Sequence, residues 1–368
     1  MHIAFIGQKG VDLGEKGGGI ESHVGHLATE LTELGHEVTV YARRKYISGG
    51  QEQPFRVRCI PTIYKKNIET IVHAFLSTLD ALGQNFDIIH YHGVGSATIC
   101  WIPRIFKQRA KVVVTFHSQD RFHQKWSWIA KQYLHFGEVA ACWFPHATIA
   151  VSHVIQVYAR KQYHRQIVFI PNGATVRHVE AIDALEEFGI RPGEFVLNVS
   201  RLVPHKGQHY LIQAFRKIKT DKKLVFVGAP SYTVAYLKEL KALAGNDPRI
   251  QFTGYQSGEA LDQLFAHAYL YVQPSESEGL PVAVLEAMSF GTPVLVSDIP
   301  ENIEAMHHAG FSFQNQDVDD LAQELERLIN HPDLVEEAAR NVQDVIRKDF
   351  SWQMIAEKTE TLYRSIRH

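Results

Sequence analysis

The chain has 368 residues, enough for two domains that each bury a core. It is 45% hydrophobic and 21% charged with a formal net charge of −2, a balance that excludes bulk electrostatic attachment to nucleic acid. Its three cysteines, Cys59, Cys100 and Cys142, are odd in number and widely spaced, which excludes a disulfide framework and fits a reducing, cytoplasmic setting.

Met1-His2-Ile3-Ala4-Phe5-Ile6-Gly7 reads as a strand. Its apolar run is too short for a signal peptide and has no basic leader. No later apolar run reaches the ~18 residues that span a bilayer. Short β-branched runs occupy residues 2–7, 37–42, 87–91, 111–116, 148–151 and 167–170, with an amphipathic helix over 20–34. A polar stretch, 177–193, follows Pro171-Asn172-Gly173. A second series then runs through 195–199, 223–227, 250–253, 269–273 and 293–296, with helices over 208–219 and 259–268. These runs are continuous rather than alternating, as in parallel strands buried on both faces. Strand–helix alternation gives an α/β architecture, and two series give two doubly wound domains. The boundary falls at Pro171-Asn172-Gly173. Ser351 suits the N-cap of a closing helix over 352–367, and local sequence allows that helix to pack on either domain. There is no short internal repeat and no low-complexity segment.

Ligands of open parallel sheets bind outside the carboxyl ends of the strands, and the chemical candidates all fall at such ends. Gly17-Gly18-Gly19-Ile20-Glu21-Ser22-His23-Val24 leads from the first strand into the first helix, where small residues and free amides suit an anion. The spacing is not that of a dinucleotide fingerprint. His90 and His92 share one face of a strand. Without a carboxylate or cysteine at ligand spacing, satisfied strand-end histidines explain them better than a metal pair does. His117, in Thr115-Phe116-His117-Ser118-Gln119-Asp120, ends another strand. It is either a hydrogen-bonded structural histidine or a neutral imidazole placed to meet a substrate hydroxyl. Arg121, Lys125, Trp126, Trp128 and Lys131 mix basic and indole side chains. That mixture suits a bilayer surface, although an ordinary half-exposed helix is the simpler account.

In the second half, Ser200-Arg201-Leu202-Val203-Pro204-His205-Lys206-Gly207 follows a strand. Taken singly, Arg201 and Lys206 would form surface salt bridges; together a guanidinium and an ammonium suit a diphosphate. The most informative stretch is Glu278-Gly279-Leu280-Pro281-Val282-Ala283-Val284-Leu285-Glu286, with seven residues between its carboxylates. Pro281 suits a first helical position. Glu286 then lies roughly 7–8 Å along an otherwise apolar helix, where a carboxylate is costly without hydrogen-bond partners. Free amides at the helix start could hold a phosphate between the two acids. Asp298, Glu301 and Glu304 end a further strand and read as a solvated loop. There is no Ser/His/Asp order, no G-x-S-x-G and no P-loop.

Glu278-x7-Glu286, the Ser-Arg-Leu…His-Lys-Gly segment, the Gly-Gly-Ile-Glu-Ser-His-Val loop and the closing Phe350-Ser351-Trp352 together resemble the retaining glycosyltransferases of family GT4, over nearly the whole chain. The resemblance implies a GT-B fold: two Rossmann-like domains facing across a cleft, residues 1–172 binding the acceptor and 173–350 the donor, with the helix over 351–368 crossing back to the first. It implies metal-independent transfer from a UDP-, GDP-, ADP- or dTDP-sugar to a carbohydrate or lipid-linked acceptor, with no cofactor. By position, Glu286 would bind the ribose hydroxyls and Glu278 the donor sugar. Arg201 and Lys206 would stabilise the leaving diphosphate, and His117 would sit near sugar and acceptor. Backbone amides of Gly279, Leu280, Pro281 and Val282, and of Gly18 and Gly19, would line the phosphates and cleft, and Tyr255 would meet the base. Two departures stand out: Ala174-Thr175 replaces the usual Val-Asp after Pro-Asn-Gly, and Ser200 replaces a glycine. The opening Ile6-Gly7-Gln8-Lys9-Gly10 resembles a bacterial subset that builds surface polysaccharides, which implies work in the cytoplasm or at the inner face of the membrane. A nucleotide-sugar epimerase or phosphorylase on the same fold, a nicotinamide-dependent oxidoreductase and a non-catalytic sensor are the competing classes.

Overall fold

A computed structural model of the chain describes residues 1–11, 17–46, 52–65, 68–119, 121, 127–230 and 234–367. The chain divides into two compact units, Met1–Asn172 with Trp352–His368, and Gly173–Ser351.

The first unit is built on seven strands: β1 (His2–Ile6), β2 (Glu37–Arg43), β3 (Arg56–Ile60), β4 (Ile88–His92), β5 (Lys111–Phe116), β6 (Ala147–Ala150) and β7 (Val168–Phe169). They pair in parallel in the order β3-β2-β1-β4-β5-β6-β7. The apolar runs of β1, β4 and β5 are buried on both faces, which is why they read as continuous rather than alternating. Helix Gly19–Glu33 buries His23, Val24, Leu27, Ala28 and Leu31, the single stripe that a 3.6-residue period presents. The sequence pattern predicts six strands here and passes over β3. Arg56-Val57-Arg58-Cys59-Ile60 alternates charged and apolar residues at the sheet edge, where Arg58 pairs with Asp80 at 2.6 Å.

The closing helix, Trp352–Arg367, belongs to this first unit. Its buried residues Trp352, Ile355, Ala356, Thr359 and Tyr363 follow helical spacing. The Trp352 ring stacks on His26 with centroids 5.2 Å apart. Glu360 meets His36 at 2.9 Å, and the Tyr363 hydroxyl lies 2.6 Å from His90 Nδ1. Both tyrosine and histidine are fully buried. Tyr363→Phe therefore strands a buried ring nitrogen, and we expect it to cost about 1–3 kcal/mol, read as a lower melting temperature in calorimetry.

The second unit carries β8 (Phe195–Val199), β9 (Lys223–Val227), β10 (Ile250–Gly254), β11 (Leu270–Gln273), β12 (Val294–Ser297) and β13 (Phe311–Phe313). All pair in parallel, in the order β10-β9-β8-β11-β12-β13. Val196, Leu224, Phe226, Leu270, Val272 and Leu295 form the sheet's side of one core, and Leu211, Ile212, Phe215, Leu321, Leu325 and Leu328 form the helical side. β13 is a three-residue edge strand, too short to stand out in sequence. The polar stretch 177–193 contains the short helix Asp183–Glu187.

Candidate active site

In each sheet the strand order reverses once, between β1 and β4 in the first and between β8 and β11 in the second. The chain leaves these strand ends in opposite directions and opens a crevice there. The sequence candidates other than Tyr255 follow these four strands and β5.

In the second unit, Lys206 follows β8 and Glu278 follows β11. Lys206 Nζ donates to Glu278 Oε1 at 2.6 Å, with side chains 15% and 9% exposed. Gln273 Nε2 donates to the same oxygen at 2.7 Å, and the Tyr271 hydroxyl donates to Gln273 Oε1. Burial would raise the Glu278 carboxyl, but the Lys206 charge and hydrogen bonds from Lys206, Ser275 and Gln273 outweigh it and hold the group below its usual 4.5. Glu278 is thus a fixed anion with an ammonium against it. Two glycines make the arrangement possible. Gly207 has φ +71°, and a Cβ there would stand 1.9 Å from the Pro274 carbonyl oxygen. Gly228 has φ +144°, and a Cβ would stand 2.0 Å from the Ser200 carbonyl oxygen. The β8 loop can lie this close to the β11 and β9 loops only without side chains at these two positions.

Arg201 is exposed, and its guanidinium makes no ion pair or hydrogen bond among the described residues. Its backbone is fixed, because Gln208 Nε2 donates to the Arg201 carbonyl at 3.0 Å. Ser200, where the resembled family has glycine, is used structurally: its hydroxyl donates to Asn198 Oδ1 at 3.1 Å and accepts from Gln208 Nε2 at 2.7 Å.

Helix Val282–Ser289 starts one residue later than expected. Pro281 is its N-cap, with φ −73° and ψ 99°, and not its first residue, because ψ is still extended there. Proline carries no N–H, so the amides without an intrahelical acceptor at this end are those of Val282 and Ala283. Glu286 lies four and three residues further on, on the same helical face. The opposite face, with Val284, Leu285, Ala287 and Met288, is buried. Burial pushes the Glu286 carboxyl up to about 7, with nearby Arg177 lowering it and Asp262 raising it. Arg177 itself is paired with Asp262 at 3.1 Å, which leaves Glu286 poorly compensated. Burial, with the negative charges of Glu278 and Glu286 adding to it, pushes the Tyr271 hydroxyl well above its usual value, so it stays a neutral donor to Gln273. Tyr255 is half-buried and follows β10, an edge strand two places from β8 and this crevice.

In the first unit, His117 after β5 is joined by residues that sequence spacing did not bring together. His92 Nδ1 lies 3.2 Å from His117 Nε2, and the His23 ring packs edge-on against His117 with centroids 4.8 Å apart. His23 Nδ1 lies 3.0 Å from Asn172 Oδ1. The ring nitrogens that His23, His92 and His117 offer lie within 4.8 Å of one another, a triad that could hold a metal ion. Burial lowers all three, His23 to about 4 and the others well below 6.5, so the imidazoles are neutral. The sequence reading treated His90 and His92 as a pair, and they do stack, with centroids 4.3 Å apart. Yet His90 is consumed by Tyr363 and Thr115, while His92 turns to His117. The signal for His23 was its place in the glycine-loop motif. Gly17, Gly18 and Gly19 have no positive φ, so their value is room and not backbone freedom. A Cβ on Gly18 would stand 3.3 Å from Glu21 Oε2, whose partner oxygen accepts the Lys9 amide at 3.1 Å.

Arg121 is not part of a basic surface, because its Nε lies 3.2 Å from Glu138, which is fully buried and also accepts from Tyr158 at 2.9 Å. Lys125 and Trp126 lie outside the described residues, Trp128 is exposed, and Lys131 is half-buried. Asp298 caps a turn by accepting the Asn315 amide at 2.8 Å, and is not simply solvated.

Residues 17–177 match the model of Glycosyltransferase Family 4, and residues 185–345 match that of Glycosyl transferases group 1. An uncharacterized glycosyltransferase of Methanocaldococcus jannaschii is 30% identical over 190 residues, 50% of this chain and 48% of that one, so the chain spans about half the length of that relative. The phosphatidylinositol N-acetylglucosaminyltransferase gpi3 subunit of Schizosaccharomyces pombe is 25% identical over 95% of this chain and 78% of its own. Among solved structures, Anabaena HepE in complex with UDP and glucose shares the fold, with TM-score 0.82, 22% identity, and coverage of 99% of this chain and 100% of that one.

Proposed function

The chain belongs to glycosyltransferase family 4, with its GT-B fold, and from that premise we propose that it moves a sugar from a nucleotide-diphosphate donor to an acceptor hydroxyl with retention of anomeric configuration. The observation that carries this reading is the Lys206–Glu278 pair at 2.6 Å, held at the crevice of the second sheet. A sugar diphosphate entering there would find carboxylate and ammonium already fixed.

On this reading residues 173–350 bind the donor, and residues 1–172 with the closing helix bind the acceptor. Glu286 takes the ribose hydroxyls. The amides of Val282 and Ala283, with Gly279 and Leu280, take the phosphates, and Glu278 takes sugar hydroxyls. Tyr255 meets the base, and Gly18 and Gly19 leave room for the donor. Arg201 and Lys206 stabilise the charge that grows on the leaving diphosphate. The bond from the anomeric carbon to the diphosphate breaks while the acceptor oxygen bonds to that carbon from the same face, and the departing phosphate takes the acceptor proton. His117, neutral and tied through Nε2 to His92, offers Nδ1 to a substrate hydroxyl. The HepE complex with UDP and glucose supports a nucleotide-sugar donor. The name of the S. pombe relative, a phosphatidylinositol N-acetylglucosaminyltransferase subunit, supports a lipid-linked acceptor. No described helix is long and apolar enough to cross a membrane. The reaction as proposed needs no metal and no cofactor.

A thermal-shift screen against UDP-, GDP-, ADP- and dTDP-sugars tests the donor. A ligand at a hundredfold excess over its Kd adds about 2.7 kcal/mol, a rise of several degrees for one base over the others. If none of the four shifts the melting temperature, the donor reading fails. Turnover that persists after chelation supports the metal-free chemistry, and loss restored by added zinc would move the reaction to the histidine triad.

A further inference from the structure

We propose that the first unit docks on an anionic lipid bilayer through an aromatic and basic face formed by helix Trp101–Phe106 and the C-terminal end of helix Trp128–Trp143. The proposal goes beyond the reading of a lipid-linked acceptor, because this face lies where the chain enters β5 and β6, at the amino ends of the parallel strands and away from the crevice, and the surface alone carries it. Charge supplies the first argument. Residues 101–170 hold ten lysines and arginines against two acids, Asp120 and Glu138, in a chain whose net charge is −2. Glu138 is fully buried and spent on Arg121, so that pair cancels and nine cations remain against one acid.

The second argument is unspent apolar surface. Helix Trp101–Phe106 buries Ile102 and Pro103 and turns its other apolar side chains outward. Ile105 is 56% and Phe106 71% exposed, and Trp143 at the far helix end is 52% exposed. A folded protein gains nothing from leaving them in water.

The two helix ends form one face. Arg104 Nη1 lies 2.8 Å from His146 Nε2, just beyond Trp143-Phe144. Cys100, beside Trp101, donates its Sγ–H to the Ala140 carbonyl at 3.7 Å. Arg165 Nε donates to the Cys142 carbonyl at 3.1 Å, and its guanidinium lies 4.9 Å from the centre of the Trp143 ring. Indole and phenyl rings among guanidinium groups are what the interfacial layer of a bilayer accepts: rings among the acyl-chain ends, cations against phosphate. Charge also decides against a second copy of the chain, since a two-fold contact would set this basic face against itself.

Full-length protein will co-sediment with phosphatidylcholine vesicles that contain phosphatidylglycerol, will release as salt rises, and will stay in solution with phosphatidylcholine alone. Arg109→Gln, an exposed position just past helix Trp101–Phe106, will weaken vesicle affinity about fivefold, as will Arg165→Gln. The double variant Ile105→Ser, Phe106→Ser will lose most binding while keeping the wild-type melting temperature and nucleotide-induced shift, so this test is independent of the donor site. Equal binding to neutral vesicles, no binding to anionic ones, or a double variant that binds like wild type would overturn the proposal. So would a dimer in sedimentation velocity that the double variant abolishes, or duplex DNA that competes the vesicles away.

Discussion

Lys206→Ala will lower turnover by a factor of about 10²–10³ and will also melt earlier than wild type, whereas Arg201→Ala will lose similar turnover with its melting temperature unchanged. On the proposed chemistry both cations face the leaving diphosphate, so each removal withdraws one fixed charge from the transition state. Their resting environments differ. Arg201 is exposed and makes no ion pair or hydrogen bond among the described residues. Lys206 is 15% exposed and closes a 2.6 Å contact on Glu278, itself 9% exposed. Removing one member of a buried pair leaves the other uncompensated, at about 3–5 kcal/mol. Gln273 and Ser275 still donate to Glu278, which keeps the cost near the lower end.

The pH dependence identifies the cause. The folded Glu278 carboxyl titrates below its unfolded value of 4.5. The stability this supplies is fully present above about pH 4.5 and is lost as pH falls through the folded value. The gap in melting temperature between wild type and Lys206→Ala will therefore be widest near neutrality and will narrow below about pH 4.5. A gap of constant width across that range would show that the loss comes from packing of the lysine stem. Wild-type turnover in both variants would remove the diphosphate role.

Much of this site was legible in the sequence because its parts are local. The glycine loop, Arg201-to-Lys206 and Glu278-to-Glu286 each sit in one loop or one helical turn, and short-range spacing sets their geometry. What spacing could not supply was the pairing of parts. Lys206 and Glu278 are far apart in sequence and meet because β8 and β11 are neighbours, an order set by crossovers and not by local pattern. His23, His92 and His117 come from three separate elements for the same reason. Edge strands β3 and β13 escaped notice because half-solvated or three-residue strands lack a continuous apolar run. The closing helix was ambiguous because amphipathicity states that a face is buried, not which domain buries it; the Tyr363–His90 contact makes that choice.

Glu286→Gln will stabilise the free protein at about pH 8 and will weaken nucleoside diphosphate binding by about ten- to a hundredfold. Burial raises the folded carboxyl from 4.5 to about 7, partly against Arg177, whose charge Asp262 shares. With the folded value above the unfolded one, wild-type stability falls as pH climbs from about 4.5 through 7 and levels off beyond. Glutamine keeps the shape and has no such titration, so the variant's melting temperature will match wild type near pH 4 and exceed it near pH 8. A residue that the free protein would be more stable without is well placed for a partner it lacks until substrate arrives. Two ribose hydroxyls donating to the ionised carboxylate would supply that partner. Binding would then favour the deprotonated form, so wild-type affinity will rise with pH through about 7 beyond any rise in Glu286→Gln, which corrects for titration of the phosphates themselves. Isothermal titration in buffers of differing ionisation enthalpy will register the proton released in wild type and absent in the variant. Equal affinities for the nucleoside diphosphate across this range would exclude Glu286 from the ribose site, even if the stability slope appears as described.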